Sequence, residues 1–167
     1  VTEPEIAANI LMGLVDLIRE RTEMLRASGV RNISQYNESM GDNKDSRMPY
    51  VVVVIDELAS FLNFHRSVTR NLTDIGRLGR AVGIHAVVAT QRPDVNVVPG
   101  DLKAQFPGRL ALKVASIPDS RTILDLGGAQ KLLGNGDMIL NGTSGELKRV
   151  QGILVMDEEI KDITEFW

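Results

Sequence analysis

The 167-residue sequence contains no cysteine, only two histidines (His65 and His85), and 4% aromatic residues. Without cysteine there is neither a disulfide framework nor a thiolate metal site, and two histidines argue against zinc. So few aromatic rings offer no platform for stacking unpaired bases, which favours duplex or backbone recognition. No apolar run approaches the ~20 residues that span a bilayer, and no signal peptide opens the chain. We therefore expect a soluble segment without membrane contact.

The charge is unevenly distributed. A formal net charge of −3 argues against a general nucleic-acid binder. Between Arg77 and Arg121, however, seven Lys/Arg residues face only three aspartates, whereas the tail from Asp157 to Glu165 is acidic. A local basic surface can bind phosphates, and ordinary surface charge is the alternative interpretation.

The order of the predicted elements indicates one α/β domain, for which 43% hydrophobic residues supply a core. A long amphipathic helix comes first and ends at Gly29. A polar loop then leads to a strand beginning at Tyr50, followed by a helix from about Val68 to Val82 and a second strand ending at Thr90. This strand, helix, strand order predicts a right-handed parallel crossover.

The first strand runs into two adjacent carboxylates. The stretch "YVVVVIDELAS" has no polar alternation, so we expect a strand buried on both faces, with Asp56 and Glu57 at its carboxyl end. The second strand, "GIHAVVAT", is expected to be buried as well, with His85 either in the core or supporting a residue that contacts a ligand. If the two strands pair, Thr90 and Gln91 lie beside the acidic residues. In open α/β sheets this edge is where ligands bind.

An apolar strand that ends in Asp-Glu is the Walker B pattern of nucleotide hydrolases. The first carboxylate holds Mg²⁺, and the second orients or deprotonates the attacking water. Polar residues at the end of the neighbouring strand can sense a γ-phosphate. The alternative is a strand that simply ends in two solvated acids.

The phosphate loop GxxxxGK[ST] does not occur in the sequence. The stretches "LGGAQKLLGNGDM" and "NGTSGEL" do not match it. The first is interpreted as a helix end and a turn, with phosphate binding as the weaker alternative. Further strands are predicted at 109–115, 137–140 and 147–155, the last two as a hairpin across "NGTSG".

Three blocks in this order resemble the motor domain of the FtsK/SpoIIIE family of double-stranded DNA translocases, within the HerA/FtsK group of P-loop ATPases. They are "PYVVVVIDELA", "GRAVGIHAVVATQRPDVNVVPGDLKAQFPGRLALKV" and "DSRTILDLGGAQKLLGNGDMIL". The resemblance implies a RecA-like α/β core with parallel central strands and a C-terminal β-hairpin. It also implies a homo-hexameric ring around duplex DNA that uses ATP and Mg²⁺, as in chromosome partition.

The family places its phosphate loop upstream of the opening helix. The chain is therefore expected to be the C-terminal part of a motor domain, incomplete at its N-terminal side. Residues 1–48 would be the helix and loop before Walker B, and residues 49–167 the Walker B, sensor, pore-loop and C-terminal part. The resemblance places this segment in the cytoplasm, with any membrane anchor of the parent protein in regions outside this chain.

Within the resemblance, Asp56 and Glu57 match the Walker B pair, with Asp56 on the metal, and Thr90 and Gln91 match the sensor. Arg80 matches an arginine finger that reaches a neighbouring subunit's nucleotide. A local ion pair with Asp74 is its alternative.

The resemblance also gives candidate DNA contacts, Arg92, Lys103 and Arg121. Arg92 could instead brace the loop before Pro93, and Arg121 could cap or pair near Asp125. Two other functional classes stay open: a related P-loop motor for conjugation or secretion, and a non-catalytic fragment that keeps only ring or DNA contacts.

Overall fold

A computed structural model of the chain describes residues 3–41, 43–62, 67–143 and 145–166, so His65 lies outside the described residues. The chain divides into two compact units, Val1–Phe106 and Pro107–Trp167. These units are defined by the contacts within each of them. The predicted division between residues 48 and 49 is defined by sequence motifs, and it stays a prediction. None of the described helices is both long and apolar enough to cross a membrane.

The first unit alternates helices with two strands. Its elements are α1 (Pro4–Ala27), α2 (Ile33–Ser39), β1 (Val51–Ile55), α3 (Leu58–Leu62), α4 (Ser67–Leu78), β2 (Ile84–Val88) and α5 (Gly100–Gln105), with 3-10 turns at Lys44–Ser46 and Gly79–Val82. The long first helix is confirmed: Pro4 occupies its first turn, and Leu11, Val15, Ile18 and Leu25 form its buried stripe. It stops before Gly29, whose φ of +69° suits glycine.

Strands β1 and β2 pair in parallel, from Val51 opposite Ile84 to Ile55 opposite Val88. This confirms that the predicted crossover joins parallel strands. Gly83 makes the sharp entry into β2 with φ +75°, and a Cβ added there would strike the Ile33 side chain. The Gly83 carbonyl accepts from Val51 N at 2.9 Å, so the turn also sets the register.

The prediction that these strands are buried on both faces is wrong. The residues of one face, including Ile55 and Ile84, pack into a core that α1 and α4 share. The residues of the other face are accessible, with exposed fractions of 64% for Val52, 71% for Val54 and 56% for Val87. His85 belongs to this open face and is exposed, so its predicted core position is also wrong. A run of valines shows only that both faces of a strand are apolar. Whether a face is buried depends on what packs against it.

A buried arginine joins the first helix to the sheet. Arg21 is 5% exposed, and its Nη1 donates to the Pro49 carbonyl at 2.8 Å and to the Val82 carbonyl at 2.9 Å. Burial lowers the pKa of this guanidinium. Since Pro49 precedes β1 and Val82 precedes β2, one side chain holds both strand entries against α1.

The second unit contains β3 (Arg109–Ala111), α6 (Ile117–Leu124), β4 (Asp137–Asn141), β5 (Leu147–Gln151) and α7 (Asp157–Phe166), with a 3-10 turn at Ala129–Lys131. β3, β4 and β5 form an antiparallel sheet in that order, which confirms the C-terminal hairpin. The predicted strands at 109–115 and 147–155 were too long. The first pairs with β4 only from Arg109 to Ala111, and Ser116 and Asp119 then form the capping box that starts α6.

The glycine-rich block forms tight turns between α6 and β4. Asp125 ends α6 with φ +64°, and Gly134, Asn135 and Gly136 all have positive φ before β4. Fully buried Ser120 donates to the Leu126 carbonyl at 2.8 Å and accepts from Ala129 N at 3.1 Å. These bonds fold the block against its own helix.

An ion pair closes the hairpin. Arg149 donates to both carboxylate oxygens of Asp137, at 2.8 and 2.7 Å, and Leu133 N donates a third bond at 2.7 Å. These donors lower the pKa of Asp137 to about 2.

Candidate functional site: the acidic edge of the parallel strands

The carboxyl ends of β1 and β2 bring the acidic pair and the polar pair together. Beyond the strands the pairing continues, because Ala89 N donates to the Ile55 carbonyl and Leu58 N to the Ala89 carbonyl, both at 2.8 Å. The tight backbone connection fixes Asp56 and Glu57 beside Thr90. The predicted proximity of these residues is therefore present in the structure.

Glu57 is held in an uncommon conformation. Its φ is +57°, a left-handed value that costs a residue with a Cβ about 1–2 kcal/mol. Its carboxylate accepts from Thr90 Oγ1 at 2.7 Å, Gln91 N at 2.9 Å and Ala59 N at 3.3 Å. The Thr90 and Gln91 hydrogen bonds are the main reasons why the pKa of Glu57 is lowered. The carboxylate therefore stays ionised at neutral pH and is fixed across both strands.

Asp56 differs from its neighbour. Asp56 is exposed to solvent, whereas Glu57 is half-buried. An exposed carboxylate is a hard oxygen ligand of the kind Mg²⁺ prefers, and Mg²⁺ in nucleotide sites commonly uses one or two protein carboxylates with water and phosphate oxygens. Among the described residues no group of three or more His, Cys, Asp or Glu could hold a metal. Asp56 thus fits the metal that accompanies a nucleotide, and the acidic pair does not form a complete protein cage.

Thr90 connects the acidic pair to the following loop. Its hydroxyl donates to Glu57 and accepts from Arg92 N at 3.1 Å. Asp94 then caps the loop by accepting from Asn96 N at 2.7 Å, and Val97 anchors it in the core. These contacts fix the backbone of Arg92, and Arg92 as a whole stays exposed to solvent.

The candidate DNA contacts lie on both units. In the first unit, Arg92 is exposed in the loop after β2 and Lys103 is half-buried on α5. In the second unit, Arg121 is exposed on the last turn of α6. Asp125, the alternative partner of Arg121, accepts a hydrogen bond from Arg109 Nη1 at 2.5 Å.

Arg80 lies away from the acidic pair of its own chain. It is exposed on the 3-10 turn before β2, and it lines a basin with Tyr50 and His85, which lie near the amino ends of β1 and β2. Asp74, the alternative partner, is bonded by Arg77 at 2.7 Å. The five residues of β1 separate the two ends of the sheet by roughly 17 Å.

Sequence reasoning did not single out Arg31 or Tyr50, which line the same basin as Arg80. Ser34 Oγ lies 3.1 Å from Tyr50 Oη, and the rings of Tyr50 and His85 stack with centroids 6.1 Å apart. No local motif marks these residues, since they come from α2, the loops before α2 and before β1, and strand β2. Only Arg21 among the missed residues carried a signal, as an arginine within the apolar stripe of a helix.

A parallel sheet with this acidic edge is the architecture of a P-loop ATPase core, and solved structures confirm the RecA-like α/β fold. The chain is similar to the pCW3 conjugation coupling protein TcpA, in its monomer form with ATPγS, at a TM-score of 0.87 and 26% identity; the match covers 99% of this chain and 50% of that one. It is also similar to the cytoplasmic domain of the type VII secretion ATPase EccC of Thermomonospora curvata, at a TM-score of 0.79 and 26% identity, covering 94% and 19%.

The chain belongs to the FtsK/SpoIIIE family, whose model matches residues 1–95. It is 45% identical over 168 residues to the DNA translocase FtsK of Chlorobaculum tepidum, and 41% identical over 173 residues to the DNA translocase SpoIIIE of Bacillus subtilis. Each match covers 99% of this chain but only 20% and 22% of the relative, so the chain spans about a fifth of their length. The family resemblance of the sequence is confirmed.

Proposed function

We propose that the chain is the Walker B and sensor part of an ATP-driven motor that translocates double-stranded DNA. The observation that carries the proposal is the Glu57 carboxylate, which Thr90 and Gln91 hold at the carboxyl edge of two parallel strands. DNA translocases among the relatives support the cargo, and the secretion ATPase among the similar structures supports ATP as the fuel.

The residues at the edge would divide the chemistry of hydrolysis. Asp56 would hold Mg²⁺, which neutralises charge developing on the phosphates when bound. Glu57 would orient the attacking water and receive its proton. Thr90 and Gln91 would position Glu57 and respond to the γ-phosphate at the end of the adjacent strand. Ionised Glu57 suits a proton acceptor, although its lowered pKa makes it a weak base, so orientation is its larger contribution.

ATP binding by this chain alone should be weak. In related sites most affinity comes from backbone amides and a lysine that grip the phosphates, and the sequence contains no GxxxxGK[ST] that would supply them. The acidic pair alone would repel the nucleotide. Calorimetric titration with Mg-ATP tests this expectation, and low-micromolar affinity would contradict it.

Arg80 would act on the nucleotide of a neighbouring subunit in a homo-hexameric ring. Its position about one strand length from Asp56, and the pairing of Asp74 with Arg77, support a role outside its own acidic edge. Mixed assemblies of a longer protein that contains a phosphate loop test this role, with Arg80→Ala in one copy and Glu57→Gln in the other. ATPase activity should partly return on mixing. If it does not return although the two variants co-assemble, Arg80 does not act on a neighbouring subunit's nucleotide.

Arg92, Lys103 and Arg121 would contact DNA phosphates. Replacing Arg92 and Arg121 by alanine in the longer protein should weaken duplex binding about equally for all sequences and reduce its salt dependence, because phosphate contacts release counterions without reading bases. A sequence-selective loss would contradict this assignment.

The decisive experiment measures ATP hydrolysis by the longer protein with and without duplex DNA. Glu57→Gln should abolish the duplex-stimulated rate, whereas Glu23→Gln, a matched change at an exposed position of α1, should leave it unchanged. Equal loss in both variants, or no loss in Glu57→Gln, would contradict the proposed role.

A motor for conjugation or secretion is the second candidate, favoured by the TM-score of 0.87 with the conjugation coupling protein. Stimulation by a protein substrate and not by duplex would select it. A non-catalytic fragment would show neither form of stimulated hydrolysis, even when a phosphate loop is present in the longer protein.

A further inference from the structure

A second concave surface lies at the opposite end of the parallel strands. It is an open basin of about 680 Å³, within the usual size range of small-molecule sites. Three arginines (Arg31, Arg77 and Arg80) contribute to its wall, together with the stacked rings of Tyr50 and His85. None of the described residues that line it is acidic.

The charge of the basin comes mainly from two guanidinium groups. Arg77 is paired with Asp74 at 2.7 Å, so its charge is largely offset. Arg31 and Arg80 form no ion pair and no side-chain hydrogen bond within the part of the chain that the structure describes. Two exposed guanidiniums in a concave wall present up to ten N–H donors to an anion.

The two arginines are placed by separate pieces of structure. Arg31 precedes α2, and its backbone N donates to Gln35 Oε1 at 2.9 Å, which fixes the turn before the helix. Arg80 lies on the 3-10 turn that Gly83 ends. The Ser34 contact with Tyr50 ties α2 to the sheet. The spacing of the two cations is therefore set by tertiary structure and not by one flexible loop.

We infer that this basin binds the oligophosphate chain of a nucleotide held by a second copy of the protein, with Arg31 as a second cation beside Arg80. This inference rests on the proposed role of Arg80 and extends it. Guanidinium groups bind phosphate through paired N–H donors, and a triphosphate offers enough oxygens for two of them. The nucleotide of the same chain is excluded, because Asp56 and Glu57 lie at the other end of β1.

The shape of the basin favours an oligophosphate over a DNA backbone. A concave wall of this volume can surround a short phosphate chain, whereas a duplex presents a wide convex cylinder with phosphates spread along it. The candidate DNA contacts Arg92 and Lys103 do not line the basin.

The first test titrates sodium tripolyphosphate into this chain and follows backbone amide shifts by NMR. Residues around Arg31 and Arg80 should shift together and saturate. Arg31→Ala and Arg80→Ala should each weaken binding about tenfold or more, since each removes charge-assisted hydrogen bonds. The affinity of Arg31→Lys should lie between that of the native chain and that of Arg31→Ala, because lysine keeps the charge and loses the paired donors. Arg26→Ala, an exposed arginine of α1 outside the basin, should leave the affinity unchanged.

Circular dichroism of each variant checks folding, and Arg31→Lys keeps the test decisive if an alanine variant unfolds. Tripolyphosphate binding that is indifferent to Arg31 would overturn the inference. So would a 12-base-pair duplex whose binding depends on Arg31 while tripolyphosphate binding does not, since the surface would then recognise nucleic acid.

The second test assigns the phosphate to another copy. In the longer protein, Arg31→Ala mixed with Glu57→Gln should recover part of the ATPase activity that each variant lacks. Absence of recovery, with Arg31-dependent tripolyphosphate binding intact, would overturn the assignment to a second copy. Failure of the proposed function would give a different result: the Glu57→Gln variant of the longer protein would still hydrolyse ATP without any mixing.

Discussion

Thr90→Val removes the hydroxyl that joins the two strand ends while keeping the side chain's size and branching. In the native chain this hydroxyl donates to Glu57 Oε1 at 2.7 Å and accepts from Arg92 N at 3.1 Å. Valine can do neither. The substitution should therefore destabilise the fold, raise the pKa of Glu57 towards its ordinary value of 4.5 and loosen the backbone at Arg92.

The expected cost is about 1–2 kcal/mol. A hydrogen bond to a charged group contributes ~1.5–3 kcal/mol when buried, and Glu57 is only half-buried and keeps its bonds from Gln91 N and Ala59 N. The unpaired Arg92 amide adds little, because that residue is exposed and water can replace the lost acceptor. Thr90→Ser keeps the hydroxyl and should cost only the contacts of one methyl group, under ~1 kcal/mol.

Urea unfolding followed by circular dichroism measures the stability, and carbon-detected NMR of the Glu57 carboxyl measures its titration. The native carboxyl has a lowered pKa, so its contribution to stability is present above 4.5 and is lost as the pH falls through the folded-state pKa. Thr90→Val should reduce this acid-sensitive contribution.

Two results would contradict the reasoning. One is a Glu57 titration that is identical in the native chain and in Thr90→Val, which would mean that the Thr90 hydrogen bond does not stabilise the carboxylate. The other is equal destabilisation by Thr90→Val and Thr90→Ser, which would attribute the effect to packing and not to the hydroxyl.

Three further substitutions test the scaffold. Arg21→Met should destabilise by about 1–3 kcal/mol in urea unfolding, because it leaves the buried Val82 carbonyl and the part-buried Pro49 carbonyl without this donor; Arg26→Met, on the exposed side of α1, should be nearly neutral. Asp137→Asn should remove the part of the stability that acid unfolding of the native chain loses as the pH falls from about 4 towards 2, since the lowered pKa of about 2 requires an ionised Asp137 bound to Arg149; an unchanged acid transition would contradict this. Gly83→Ala should cost at least ~1 kcal/mol in thermal unfolding, from its φ of +75° and its contact with the Ile33 side chain, and a neutral effect would show that the turn can relax.

The sequence was sufficient to predict the elements whose signals are local. The long helix up to Gly29, the crossover between the two valine-rich strands and the C-terminal hairpin all follow from periodicity and turn residues. The proximity of Glu57 and Thr90 also follows, because the carboxyl ends of paired parallel strands share one edge.

What could not be predicted depends on tertiary packing. The valine runs gave no indication that Val52 and Val54 would face outward, because apolarity on both faces is a property of the strand and burial is a property of its neighbours. The left-handed backbone of Glu57 carries no sequence signal, since such a conformation normally marks glycine. The basin that joins Arg31 to Arg80 depends on α2 lying against the strand entries.

The single hydroxyl of Thr90 makes the acidic edge and the following loop parts of one equilibrium. Because the same oxygen serves Glu57 and the Arg92 amide, any event that draws the carboxylate away from Thr90 alters the free energy of the Arg92 backbone, and any force on that loop alters the readiness of the carboxylate to move. Thermodynamic linkage requires the two effects to be equal in size. A ligand bound by Arg92 would therefore shift the conformational equilibrium of Glu57 by the same free energy with which that equilibrium shifts the binding of the ligand.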